Sequence, residues 1–238
     1  MNSDKDIAAA ERARIQAEYV RRDKDGDRDL YAAWQPTPLF MQAGRKRIAS
    51  RLLHGAGFFP FDSGQCLEIG FGSMGWLADL ISWGVPETDL HGIELSSERV
   101  SRARQVLPQA DLRVGDAGSL PWETGFFRLV IASTVFTSIL NDTVRRMVAR
   151  EILRVLAPGG ALLWYDFAVN NPNNAQVRGI GRKELRELFP DLRGEIRSAT
   201  LAPPLARFVA PRSWAIASAL EAIPLLRTHL LAVMVKSV

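Results

Sequence analysis

The chain has 238 residues, 47% apolar and 24% charged, with a net charge of +4. That length suits one large domain with a full core, and the lack of any apolar run of about 18–20 residues argues against a helix that spans a bilayer. Cys66 is the only cysteine, which excludes an internal disulfide; with no secretory leader pattern at the start, a cytoplasmic enzyme is the default expectation.

The charge is unevenly spread. Residues 1–60 carry 11 basic and 8 acidic side chains, residues 61–169 carry 9 and 13, and residues 170–238 carry 10 and 5. Basic ends folded over one mouth of the acidic middle would form a positive rim that attracts anions; otherwise the arginines solvate helix faces. Of the 30 basic residues 25 are Arg, which suits bidentate contact with phosphate or carboxylate.

Residues 3–22 read as a helix capped by Ser3, followed by the charged loop 21–29. Thr37, in the turn QPTP, is placed to cap a second helix over 38–54, and the breaker-rich stretch 55–64 is a linker. From Gln65 strands and helices alternate. Strands are expected over 65–69, 89–95, 110–115, 126–133 and 161–167. Helices are expected over 73–82, over 97–107 behind Ser96, and from Asn141 or Asp142 to Leu156, with PGG at 158–160 as the stop. The alternation implies a parallel sheet covered on both faces. The tail adds a helix over 182–189, a strand over 195–201, a helical stretch over 204–223 interrupted by Pro211, and a last strand over 229–235. That excursion either packs the core or walls a substrate pocket.

The segment LEIGFGSMG (67–75) places three glycines between a strand and a helix. Gly70 and Gly72 let the backbone turn sharply and approach a ligand, and the helix start beyond offers free N–H groups to an anion. Glu94, about 20 residues further on at the end of the second strand, can accept from both hydroxyls of a ribose. Asp116, after the third strand, can accept from an adenine amine while the Ala117 backbone meets a ring nitrogen; alternatively Asp116 is a turn residue.

The order Glu68-x-Gly70-x-Gly72, then Glu94, then GDAGSLPWETGFFRLVIAS and EILRVLAPGGALLWYDF resembles the class I, Rossmann-like S-adenosylmethionine-dependent methyltransferases. The resemblance covers residues 60–168, and the terminal strands fit the same plan. It implies an α/β fold with a doubly wound seven-stranded sheet, mostly parallel with an antiparallel last strand. An N-terminal helical cap or lid is expected over 1–60 and the methyltransferase domain over 61–238, with a substrate-side loop and helical insertion in 168–238. The resemblance implies that Glu68, Gly70, Gly72 and Gly75 hold the methionine end of S-adenosylmethionine, Glu94 and Leu95 the ribose region, and Asp116 and Ala117 the adenine, with Ser133 and Thr134 beside the sulfonium and S-adenosylhomocysteine as the product. One departure stands out. The family commonly has a third glycine where this chain has Met74, and Gly75 one place later gives the spacing of dinucleotide-binding oxidoreductases.

Asp166, at the end of the fifth strand, is the candidate base or substrate anchor; alternatively it bonds backbone. His54, His91 and His229 are weaker candidates, and Cys66 reads as a buried inert thiol. Asn170, Asn171 and Arg178 lie in an asparagine-rich loop suited to a hydroxylated or glycan-type acceptor. That loop, with the tail PPLARFVAPRSW, more loosely resembles methyltransferases of bacterial polysaccharide or natural-product gene clusters. Tyr19, Tyr31 and Trp34, with Arg21 and Arg22, are expected to line a lid or to pack a helical cap. No metal site is expected, and the calcium-like stretch 23–29 lacks its terminal glutamate. The leading expectation is O-methylation of a small molecule or sugar-containing intermediate, with no nucleic-acid partner. RNA or protein methylation, an NAD(P)-dependent oxidoreductase and a non-catalytic binding module are the alternatives.

Overall fold

The computed structural model describes residues 2–24, 32, 34–172 and 174–237. Residues 21–24 of the expected charged loop continue α1, while the rest of it, with most of the calcium-like stretch, and Tyr31 lie outside the described residues.

Two helices come first, α1 over Asn2–Lys24 and α2 over Pro36–Gly55. α2 opens on proline, whose missing N–H costs nothing in a first turn. Gln35 is its N-cap without a side-chain bond, so Thr37 sits inside the first turn rather than capping it. The alternating part follows as β1 (Gln65–Ile69), α3 (Leu77–Ser82), β2 (Leu90–Glu94), α4 (Ser97–Val106), β3 (Asp111–Val114), β4 (Phe127–Ser133), α5 (Asp142–Val155) and β5 (Leu156–Phe167). The caps read from the sequence are formed: Ser96 accepts from the Arg99 N–H, and Asn141 from those of Thr143 and Val144. The tail supplies α6 (Arg182–Leu188), β6 (Leu192–Leu201), α7 (Pro203–Val209), α8 (Trp214–Ala222) and β7 (Arg227–Lys236). Pro211 falls between α7 and α8, where the helical stretch breaks.

The seven strands form one sheet in the order β3-β2-β1-β4-β5-β7-β6. β7 alone runs against its neighbours, antiparallel to both β5 and β6. The strand order reverses between β1 and β4, the crevice where such sheets bind ligands. β5 begins earlier than the PGG stop suggests. Phe127 pairs with Leu156 but Leu129 with Ala161, so residues 157–160 bulge out of register. A Cβ on Gly160 would lie 2.9–3.0 Å from the carbonyl oxygens of Ala157, Arg128 and Phe127, which is why glycine stands there.

Alternation along the strands divides the core. Val130 and Ala132 of β4 and Leu162 and Trp164 of β5 face the layer of α1, α5 and α6. Leu129, Ile131, Leu163 and Tyr165 face the layer of α2, α3 and α4. Cys66 is fully buried in the second layer. The expected N-terminal cap is therefore split: α1 packs beside α5, and α2 beside β6 and β7. Among the described residues no helix is long and apolar enough to cross a membrane.

Candidate active site

The glycine loop at the end of β1 is built around a buried acid. Glu68 is 1% exposed, and its Oε2 accepts from the N–H groups of Trp76 (2.7 Å) and Leu77 (3.0 Å). These are the orphan donors at the start of α3, so α3 begins at Leu77 and residues 73–76 form a tight turn before it. The other oxygen lies beneath Gly75, where a Cβ would come within 2.0 Å of it. Burial pushes the Glu68 carboxyl up to about 8, against the pull of these N–H groups and of Arg45. Glu68 and Gly75 thus support the loop from below. Gly70 and Gly72 take left-handed φ values of 64° and 56°, and Met74 takes 83°. Met74 therefore adopts the backbone conformation that favours the glycine it replaces. The shifted glycine spacing reflects that substitution, not a different cofactor loop.

The next strand ends converge on one cavity. Glu94, 3% exposed, receives the Gly72 N–H on one oxygen and the Ser96 N–H on the other, both at 3.0 Å. Gly70, Glu94, Leu95, Asp116 and Ala117 line the cavity together. Asp116 also makes the turn of the alternative reading, accepting from the Gly118 N–H at 2.8 Å. Ser133 and Thr134 end β4 beside Val135, which lines the cavity. Thr134 has φ 56° and donates its N–H to the Tyr165 carbonyl at 2.7 Å.

α1 roofs this cavity with Ala8, Arg12, Ile15 and Tyr19, leaving about 60 Å³. Ligand sites usually offer about 300–1,000 Å³, so with α1 in this position the cavity is small for a ligand of nucleoside size. The roof is latched by polar contacts. Arg12 reaches Asp116 at 3.4 Å, Gln16 donates to the Leu95 carbonyl at 3.3 Å, and Glu11 accepts from the Leu140 N–H ahead of α5. The Arg99 guanidinium lies 4.8 Å from the centre of the Tyr19 ring. Tyr19 therefore lines this cavity.

Asp166 is placed differently from a base. It is 1% exposed, accepts from the Thr137 hydroxyl (2.5 Å) and N–H (3.1 Å), and bonds the Phe167 N–H. Burial raises its carboxyl to about 6. It fixes the turn after β4, as the backbone-bonding alternative has it. Trp34 is 72% exposed on the surface and does not line the cavity. Asn170 accepts from the Gly179 N–H, and the Asn171 carbonyl from that of Asn174, so both shape the loop itself. Arg178 is paired with Asp142 and Glu184, tying the loop to α5 and α6. His229 is 2% exposed and stacked on Tyr165, and burial lowers it to about 3. His91 is bonded to Gln65 and Asp111.

Sequence reasoning missed Arg45. Its guanidinium projects from α2 over the rings of Trp76 (4.8 Å) and Tyr165 (5.5 Å). Its Nε and the Trp76 Nε1 are both buried donors without a hydrogen-bond partner among the described residues. Unpaired buried donors are costly, so two of them beside the glycine loop fit an anionic group. The run GRKR marks Arg45 only as one of several charges on α2. Among the described residues no group of three or more His, Cys, Asp or Glu side chains could hold a metal ion.

Residues 66–160 match the methyltransferase domain family. No curated protein matches the chain in a sequence search. Among solved structures, geranyl diphosphate C-methyltransferase from Streptomyces coelicolor A3(2), in complex with Mg2+, geranyl diphosphate and S-adenosyl-L-homocysteine, is 15% identical over 81% of this chain and 77% of its own, with a TM-score of 0.59. A SAM-dependent methyltransferase from Methanosarcina mazei is 18% identical over 78% and 96%, with a TM-score of 0.57. The cyclase SpnF is 19% identical over 81% and 80%, with a TM-score of 0.57. At these identities the likeness is one of fold, and the fold hosts more than one activity. The domain match sets aside the nicotinamide alternative. The matched methyltransferase domain over residues 66–160 and the seven-stranded sheet with its single reversed strand support reading the chain as an S-adenosylmethionine-dependent methyltransferase of the Rossmann-like fold.

Proposed function

We propose that the chain methylates a hydroxyl on a small molecule or sugar-containing intermediate in the cytoplasm. The observation that carries the donor half of this reading is the cavity beneath α1, lined by Glu94 and Asp116 from successive strand ends. α1 covers the mouth beside that cavity, which suits a small acceptor better than a nucleic-acid strand or a folded protein, since those call for an open basic groove or added module.

In this reading Glu94 accepts from the ribose hydroxyls, and Asp116 and the Ala117 backbone read the adenine once Arg12 withdraws. The Gly70 and Gly72 backbone approaches the methionine portion, and the Arg45 guanidinium with the Trp76 indole N–H meets its carboxylate. Ser133 and Thr134 border the reacting end. S-adenosylmethionine supplies an electrophilic methyl group on a sulfonium. The protein's own part is to align the acceptor and exclude water, effects worth on the order of 7–11 kcal/mol when geometry is ideal. With Asp166 spent on Thr137 and His229 neutral and stacked, the reading assigns neither as a base. An acceptor oxygen that ionises readily fits best. Asp166 acts as a positioning residue for the turn that carries Val135 and Thr137.

Methyl-labelled donor incubated with phenols, hydroxy acids and glycosides, and in parallel with RNA and protein, tests the reading. Label on a hydroxylated small molecule supports it. Label confined to RNA or protein contradicts it.

A further inference from the structure

The excursion between β6 and β7 inverts the usual division of a surface helix. α8 contains one charged residue, Glu221, and that residue is 5% exposed, accepting from the Leu201 N–H and pairing with Arg47. The solvent side of α8 is apolar except for Ser218. Trp214, Ile216, Ala219 and Ala222 are exposed, and Ile223 follows. Ile216 and Ala219, three residues apart, share one face of the helix, and the exposed Ile223 follows at its extended C-cap. Nearby in the chain, Phe208 is 65% and Leu225 94% exposed. A surface helix ordinarily buries its apolar stripe and exposes its charges, and a contiguous exposed apolar face marks an interface.

The surroundings of this face are cationic. A cavity of about 240 Å³ borders α8, lined by Arg47, Arg51, Arg197 and Arg227 with Ser218 and Ala222. Glu221, paired with Arg47, is the one acid at its wall, and Arg197 pairs with Glu195 beside it, so Arg51 and Arg227 supply the cavity's remaining positive charge. Arg227 donates to the carbonyls of Glu221, Ala222 and Ser198, and Arg212 to that of Phe208 while lying over the Phe208 ring. Carbonyl oxygens leave those positive charges unneutralised.

We propose that the α7–α8 face docks the protein on an anionic lipid membrane. Aromatic and aliphatic side chains seat at the boundary of headgroups and acyl chains, and the arginine-lined cavity receives a lipid phosphate. Apolar face plus arginine flank is the pattern of helices that lie in such an interface, and each cation near an anionic leaflet adds attraction. A second copy of the chain fits less well. A two-fold contact sets the same patch against itself and would bring the arginines of both copies together. The face also leaves the sheet on the side of the candidate site: Leu201 pairs with Arg227 beyond His229, whose partner Phe167 ends β5.

The test is cosedimentation of the full chain with vesicles of phosphatidylcholine alone and of phosphatidylcholine and phosphatidylglycerol in equal parts. The expected result is pelleting with the anionic vesicles only, weakened by salt. Ile216→Asp with Leu225→Asp, and separately Arg51→Glu with Arg197→Glu, should each lower binding by at least about tenfold. All these residues lie outside the cofactor cavity, so unchanged S-adenosylhomocysteine binding by calorimetry serves as the control for folding. No pelleting, equal pelleting on phosphatidylcholine, or unchanged pelleting of Ile216→Asp with Leu225→Asp would overturn the proposal. So would a dimer in light scattering that Ile216→Asp separates, since the face would then belong to a second copy. None of these readouts depends on the identity of the methyl acceptor.

Discussion

The Glu68 carboxylate lies so close beneath Gly75 that a Cβ there would sit 2.0 Å from Oε1. Backbone and side chain thus lock together: the acid bonds the first N–H groups of α3, and the glycine leaves room for the acid. Gly75→Ala is expected to cost about 2–4 kcal/mol, the scale of strain and overpacking combined. Met74→Gly should do the opposite. It removes a left-handed residue worth about 1–2 kcal/mol and adds the entropy cost of glycine, about 0.5–1 kcal/mol. Denaturant unfolding of both variants checks the pair, and a destabilised Met74→Gly would contradict the strain argument.

The same acid sets a pH dependence. The Glu68 carboxyl is raised to about 8 in the folded protein from an ordinary 4.5. Between those values the native state holds more protons than the unfolded state. Stability should therefore fall as pH rises from about 5 to about 8, by at most about 1.4 kcal/mol per pH unit for one group, and level off above. Asp166, raised to about 6, adds in the same direction over the lower part of that range. In Glu68→Gln one amide oxygen can still accept both N–H groups, so the variant should fold with a flatter profile. An unchanged slope would count against a raised Glu68 carboxyl.

Asp166 separates a positioning role from a catalytic one. Asp166→Asn leaves one of the Thr137 or Phe167 donors facing an amide N–H₂ and should cost about 1–3 kcal/mol of stability. Once an acceptor is known, the pH profile of kcat should keep its shape in this variant. A lost ionisation in that profile would restore Asp166 as a base.

Arg45 makes a prediction that a purely structural side chain would not. Arg45→Met should weaken S-adenosylhomocysteine by about 1.5–3 kcal/mol, the value of hydrogen bonds to a charged group. Methylthioadenosine, which has no carboxylate, should bind the variant as it binds the parent. Equal losses for both ligands would point to general damage around Trp76.

Much of the fold was legible because one signal dominated each element. Apolar runs such as QCLEI and FFRLVIAS, and the caps Ser96 and Asn141, gave the alternating core. That Glu94, Asp116 and Ala117 meet at one cavity was legible for the same reason, since they end or follow successive strands that the topology brings side by side. Other readings failed where a distant contact decided the outcome. α3 starts late because Glu68 claims the N–H groups of Trp76 and Leu77. Asp166 looks free at a strand end until Thr137 is found above it, and Arg178 looks like a substrate ligand until Asp142 and Glu184 close on it. Arg45 was invisible because nothing local separates it from Lys46 and Arg47; the rings of Trp76 and Tyr165 distinguish it.

The central claim is that the Glu94 carboxylate, between the glycine loop and α1, grips the ribose of an adenosyl donor. Calorimetry of S-adenosylhomocysteine and NAD against the parent protein and Glu94→Ala tests it most directly. The account predicts one site for S-adenosylhomocysteine, none for NAD, and a loss of about 1–3 kcal/mol in the folded variant. NAD binding in place of S-adenosylhomocysteine, or full affinity in Glu94→Ala, would contradict it.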